Sequence, residues 1–141
     1  MKINNIPFNV IDWSNVETET HNGETGTAIW RTKNFGDIRI RMVEYSPGYS
    51  ADHWCSKGHI IICLEGELNT VLSDGRRFVL TPGMSYHVAD GNEAHRSWTT
   101  NGVKLFIWTV DIPNRASKLK KLGVDGIISN KSGFLREKMK Y

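Results

Sequence analysis

The stretch HIIICLEGELNTVLSDG, residues 59–75, predicts two consecutive β-strands. Its first part is a continuous apolar run that ends at Glu65-Gly66. Its second part, residues 68–72, leads into Asp74-Gly75, a strong signal for a tight hairpin turn. The stretch is therefore typical of a β domain built from short strands and tight turns.

The same pattern continues on both sides of this stretch. A strand is predicted over residues 37–45, where Ile38, Ile40 and Met42 alternate with Arg39 and Arg41 in the period-two pattern of a half-buried strand. Further short strands are predicted over residues 78–80, 85–88, 94–99 and 103–110. Short strands at this close spacing predict an all-β sandwich or small barrel.

The charge divides the chain into two parts. Its 141 residues suit one domain, and the net charge is +3. Residues 1–112 contain 10 Lys/Arg against 13 Asp/Glu, whereas residues 113–141 contain 8 against 2. We therefore predict a barrel with an N-terminal strand segment over 1–112 and a basic, partly helical C-terminal extension over 113–141, with the boundary near Pro113. Because the basic charge belongs to the extension alone, no nucleic-acid partner is predicted.

Several other classes are disfavoured by the composition. No apolar run approaches the roughly 20 residues of a membrane-spanning helix, and the first twelve residues do not resemble a signal peptide. We therefore expect no membrane span and a cytoplasmic location. Two cysteines make no disulfide framework, so they are predicted to be free thiols or metal ligands. A homodimer is one option for the assembly.

The chemistry is concentrated between Gly48 and His59. His53, Cys55 and His59 all have odd numbers, so their side chains would share one side of an extended segment. Imidazole and thiolate bind zinc, and they also suit iron, nickel or copper. A fourth ligand must come from elsewhere or from water, and His95 is the best-placed candidate.

These residues carry a family resemblance. The spacing His53-x-Cys55-x3-His59-x6-Gly66 resembles the first motif of the cupins, with Cys55 in place of a histidine and His59 in place of a glutamate. His95 stands at the histidine of the second motif.

Around these motifs, other segments are similar to the DHCW-motif cupins, a bacterial group whose function is not established. The resemblance covers residues 20–112 and departs from the second motif at two positions. The segments are residues 45–48, 52–55 and 83–86, and the departures are Asp90 and Asn92.

The resemblance implies a cupin double-stranded β-helix, which is a jelly-roll barrel, with His53, Cys55, His59 and His95 converging inside it. It also implies a bound divalent transition metal and a small-molecule ligand in the mouth of the barrel. Because a thiolate is a soft ligand and no glutamate is present, zinc is expected first and iron or nickel next. The catalytic residues stay unassigned.

Purely structural roles are also open to these residues. His53 and His95 could be hydrogen-bonded barrel histidines, and Cys55 could be a small buried residue. Cys63 is predicted to lie in the core, and His87 to be an exposed strand residue. Some further residues could line the pocket and bind an anionic or aromatic ligand, although parity does not decide which face inward: Arg41, Tyr45, Tyr86, Arg96 and Trp98.

Three functions remain open at this point. The chain is either a metal-dependent enzyme with a small-molecule substrate, a non-catalytic binding or sensing protein, or a metal-free structural barrel. Residues 122–130 and 134–137 also resemble the closing strand and helix of glycerophosphodiester phosphodiesterase barrels. So short a segment cannot carry that enzyme, and no activity is expected from it.

Overall fold

A computed structural model describes residues 6–91 and 93–110 of the chain. A three-residue 3-10 helix, Trp13–Asn15, precedes nine strands. The strands are β1 (Thr18–Asn22), β2 (Thr27–Phe35), β3 (Ile38–Tyr45), β4 (His59–Gly66), β5 (Leu68–Leu72), β6 (Arg77–Leu80), β7 (Ser85–Val88), β8 (His95–Trp98) and β9 (Val103–Val110). The predicted all-β class is confirmed.

The described strands form two sheets. Within each sheet, all neighbouring strands pair in the antiparallel direction. The larger sheet has the order β1-β2-β3-β9-β4-β7, and the smaller has the order β6-β5-β8. The core is formed by apolar side chains from both sheets. They are Val43, Ile61, Cys63, Leu68, Leu80, Val103 and Leu105.

Strand β4 shows how the sequence pattern produces this packing. Ile61 and Cys63 are buried in the core, whereas Ile60 and Ile62 on the opposite face are exposed. Alternation of this kind follows from the two-residue period of a strand. The prediction that Cys63 is a core residue is confirmed, since its side chain is only 1% exposed.

The C-terminal extension lies outside the described residues. The domain boundary near Pro113 and the helices predicted in residues 113–141 therefore stay predictions. Within the described part of the chain, no helix is long and apolar enough to cross a membrane.

Candidate metal centre

A backbone bridge brings two of the predicted ligands together. The Cys55 amide donates to the His95 carbonyl at 2.8 Å, and the His95 amide donates to the Cys55 carbonyl at 2.9 Å. Residues paired directly opposite each other in an antiparallel ladder project their side chains to the same face. The thiol of Cys55 and the imidazole of His95 are therefore neighbours.

His59 joins them from the other sheet. It is the first residue of β4 in the larger sheet, whereas His95 is the first residue of β8 in the smaller one. Nε2 of His59 lies 3.1 Å from Nε2 of His95. The potential ligand atoms of Cys55, His59 and His95 all lie within 4.8 Å of one another. The cluster thus lies between the two sheets.

A backbone carbonyl orients the ring of His95. Nδ1 of His95 donates to the carbonyl oxygen of Glu93 at 3.2 Å. Because Nδ1 carries the proton in this contact, Nε2 keeps its lone pair and directs it at the cluster. Glu93 itself has a positive φ of 40°, the only such residue besides glycine among those described. The sequence gives no signal for this carbonyl contact.

Burial keeps both imidazoles neutral. Burial, followed by the repulsion that a protonated His95 would exert, lowers the pKa of His59 to about 4. Burial also lowers the pKa of His95, which is only 3% exposed. A metal binds the neutral form of imidazole, and both rings are already in that form at neutral pH.

A tyrosine lies beside the cluster. The hydroxyl of Tyr86, on β7, is 3.4 Å from Nε2 of His59. Burial raises the pKa of Tyr86, although hydrogen bonds to Ser97 and Thr70 act in the opposite direction. The phenol is therefore protonated at neutral pH and can donate a hydrogen bond.

The fourth predicted ligand is placed differently. The side chain of His53 is 74% exposed, and its Nδ1 contacts Oδ1 of Asp52 at 2.5 Å. It does not belong to the group formed by Cys55, His59 and His95. The reason is that residues 52 and 53 form a bend, so the parity of an extended strand does not apply to them.

The candidate pocket residues divide into inner and outer positions. Tyr45 and Tyr86 pack against the core from inside. Arg96 follows the buried His95 in β8, so its side chain points to the opposite face of that strand, where it donates to the carbonyl of Ala51 and the carboxylate of Glu24. Trp98 contacts Arg77 across the smaller sheet, with 5.9 Å between the guanidinium carbon and the ring centroid. His87 is exposed, as predicted.

The three clustered residues suit a transition metal. One thiolate and two imidazoles are the ligand types found in zinc sites. Three protein ligands leave one position of a tetrahedron for water or a small molecule, which is the arrangement of catalytic rather than structural zinc sites.

Several solved structures are similar to this chain. A predicted oxalate decarboxylase from Thermotoga maritima is similar at a TM-score of 0.63 and 14% identity, covering 73% of this chain and 99% of that one. The polyketide cyclase RemF from Streptomyces resistomycificus is similar at a TM-score of 0.62 and 21% identity. The match covers 75% of this chain and 81% of that one. A sugar phosphate isomerase of the cupin superfamily from Silicibacter pomeroyi is similar at a TM-score of 0.59 and 14% identity. The match covers 74% of this chain and 77% of that one.

The sequence comparisons add one partial match. A model of the glycerophosphoryl diester phosphodiesterase family matches residues 73–133, which is less than half of the chain. Residues 77–110 of that match contribute strands β6 to β9 to the two sheets. No protein with a curated description matches the sequence. On the structural comparisons, the chain has the jelly-roll fold of the cupins.

Proposed function

We propose that this chain binds one divalent transition metal through Cys55, His59 and His95, and that a small molecule completes the metal's coordination. The observation that carries the proposal is the convergence of the three ligand atoms within 4.8 Å. Two independent constraints support it: the backbone bridge that fixes Cys55 against His95, and the Glu93 carbonyl that fixes the His95 ring.

Zinc is the first candidate for this metal, followed by iron or nickel. A thiolate ligand favours the softer ions of the first transition series, whereas carboxylate-rich sites favour manganese or magnesium. The three clustered ligands include no carboxylate. One thiolate and two neutral imidazoles would leave a divalent ion with one uncompensated positive charge.

We further propose that the site is catalytic. A bound metal would supply Lewis-acid activation of a substrate oxygen. Tyr86 is placed to donate a hydrogen bond beside that position, because its hydroxyl lies 3.4 Å from Nε2 of His59. The similar structures named as a decarboxylase, a cyclase and an isomerase support an enzyme that acts on a small molecule.

Metal analysis of protein purified without chelator tests the first part of this proposal. We expect about one zinc, iron or nickel ion per chain in the parent, from a site with three protein ligands. Cys55→Ser, His59→Gln and His95→Gln should each lower the metal content and the affinity for added Zn²⁺ severalfold or more, because ligand loss weakens a three-ligand site.

His53→Gln is the matched control, since His53 carries an exposed imidazole outside the cluster. We expect this variant to retain its metal. If it instead loses metal as fully as Cys55→Ser, the four-ligand site predicted from the sequence is correct. A parent with substoichiometric metal that none of the four substitutions changes would refute metal binding.

Three further assignments stay predictions from the sequence: the small-molecule ligand, the cytoplasmic location and the homodimer. The first of these is the one that the site geometry bears on directly.

A further inference from the structure

The turn between β5 and β6, residues 73–76, contacts the segment that leads into His95. The amide of Ser73 donates to the carbonyl of Ala94 at 2.8 Å. Leu72, which precedes the turn, pairs with His95 in the smaller sheet. The turn therefore lies directly beside the start of β8, where one of the candidate metal ligands is located.

Arg76 connects this turn to Glu93 through its side chain. Nη2 of Arg76 donates to Oε1 of Glu93 at 2.6 Å, and Nε donates to Oδ2 of Asp74 at 2.8 Å. The backbone amide of Arg76 also donates to Oδ1 of Asp74, at 3.1 Å. A guanidinium group can bind two carboxylates at once because its donors point in several directions within one plane. Asp74 thus holds the group that in turn holds Glu93.

Glu93 has a backbone conformation that requires such a constraint. Its φ of 40° lies in the left-handed region, which is unfavourable for a residue with a Cβ atom. In this conformation its carbonyl oxygen accepts the hydrogen bond from Nδ1 of His95 at 3.2 Å. A return to negative φ would reorient the peptide plane that carries this carbonyl. The ion pair with Arg76 and the contact with His95 therefore belong to the same conformation of Glu93.

We propose that Arg76 is a positioning residue for the metal centre: through Glu93, it keeps in place the carbonyl that fixes the His95 ring. This inference rests on the proposed function, because His95 is one of the three ligands assigned there. While Nδ1 donates to the carbonyl, Nε2 is the nitrogen that presents a lone pair to the metal. Without Arg76, the His95 ring loses its fixed orientation and its single tautomer.

The charge of Arg76, taken alone, would have the opposite effect on metal binding. A positive charge repels a bound cation, so its removal would tighten metal binding if charge were the only factor. The Arg76 side chain is 53% exposed, and salt screens such an exposed charge. A positioning role instead predicts weaker binding, because the ligand loses its preset geometry. The direction of the change therefore distinguishes the two effects.

Titration of the full chain with Co²⁺ tests the proposal. We expect Arg76→Gln to bind Co²⁺ about tenfold more weakly than the parent, as found for the loss of outer-shell partners of metal ligands. Arg76→Lys keeps a charged donor without the planar set, so its affinity should be intermediate. Arg77→Gln is the matched control, because it removes the same charge from the next residue, whose guanidinium carbon lies 5.9 Å from the Trp98 ring centroid. It should bind Co²⁺ like the parent.

A glycine at position 93 separates positioning from a general loss of structure. Glu93→Gly keeps the carbonyl and adopts a positive φ without strain, so its backbone no longer needs the ion pair. We therefore expect Arg76→Gln to weaken Co²⁺ binding about tenfold in the parent but less than about twofold in the Glu93→Gly chain. Equal losses in the two backgrounds would overturn the proposal. Co²⁺ binding by Arg76→Gln that is as tight as that of the parent, or tighter, would overturn it too.

The ring of His95 gives a second readout that requires no metal. Nitrogen–proton correlation NMR spectra of the metal-free chain at neutral pH report which imidazole nitrogen carries the proton. We expect the Nδ1-protonated tautomer of His95 in the parent and a mixture of tautomers in Arg76→Gln. Identical tautomer populations in the two proteins refute the inference. If the populations differ but no chain binds Co²⁺, the proposed metal site fails, while the role of Arg76 in orienting His95 is supported.

Discussion

His95 is positioned by contacts from its backbone and from its Nδ1 atom. The partners in these contacts are backbone groups, so the contacts themselves involve no side chain of the neighbouring residues. Its amide and carbonyl pair with Cys55, and its Nδ1 contacts the Glu93 carbonyl. Residue type and spacing predict four candidate ligands, of which the structure brings Cys55, His59 and His95 together. The exposed position of His53 does not follow from the sequence pattern, because the parity argument requires an extended chain, and the chain bends at residues 52 and 53.

The histidine pair makes the stability of the metal-free protein depend on pH. Burial holds the pKa of His59 near 4 in the folded chain, below its ordinary value of 6.5. As the pH drops, His59 is therefore protonated in the unfolded chain before it is protonated in the folded chain. The free energy of unfolding should consequently fall as the pH drops from about 6.5 to about 4. A shift of this size corresponds to a loss of about 3 kcal/mol. Urea unfolding of chelator-treated protein across this range measures it.

Two variants assign this slope to the cluster. His59→Gln should flatten it, because the buried group no longer titrates. His87→Gln should leave it unchanged, since His87 is exposed on β7 opposite Ile60. A slope in His59→Gln as steep as that of the parent would show that other groups cause it.

At the scale of elements, the strands were more predictable than their faces. The seven strands from β3 to β9 were each predicted within two residues of their observed bounds. Alternation in β3 indicated a half-buried strand, but the apolar side does not face the core: Val43 is buried on the side of Arg39 and Arg41. A period-two pattern does not say which face is inside when both faces carry long side chains. Strands β1 and β2 were not identified individually.

The junction between β4 and β9 depends on a glycine. Gly66 has a φ of +78°, and a Cβ atom there would lie 2.2 Å from the carbonyl oxygen of Gly102. Gly66→Ala must therefore displace backbone as well as adopt a strained conformation. We expect a loss of more than about 3 kcal/mol in the free energy of unfolding, which adds overpacking to the cost of a left-handed alanine. Chemical denaturation measures this loss.

Gly75 supplies the control for backbone strain alone. Its φ is +93°, but a Cβ atom there would have no other atom within 4 Å. Gly75→Ala should cost only about 1–2 kcal/mol, the cost of the left-handed conformation. Equal losses at the two positions would contradict the steric role of Gly66.

At the scale of the whole molecule, the net charge of +3 is distributed unevenly along the sequence: residues 1–112 contain 10 Lys/Arg against 13 Asp/Glu, and residues 113–141 contain 8 against 2. The barrel has its own division, since the apolar core and the cluster of candidate metal ligands are formed by different sets of residues. Composition revealed the first division. The second appears only in the folded chain, because it depends on the bridge that pairs Cys55 with His95 and on the packing of His59 against His95.

The placement of the core makes a prediction about the extension. Among the residues that the structure describes, the seven that form the core lie from Val43 to Leu105, and β9 ends at Val110. We therefore expect a chain that lacks residues 113–141 to unfold cooperatively on heating and to retain its β-type circular dichroism. A chain that ends at residue 102 is the contrasting control: it also lacks β9, which pairs with both β3 and β4, so it should not fold. If the first deletion also abolishes cooperative unfolding, the extension completes the core and the boundary near Pro113 is wrong.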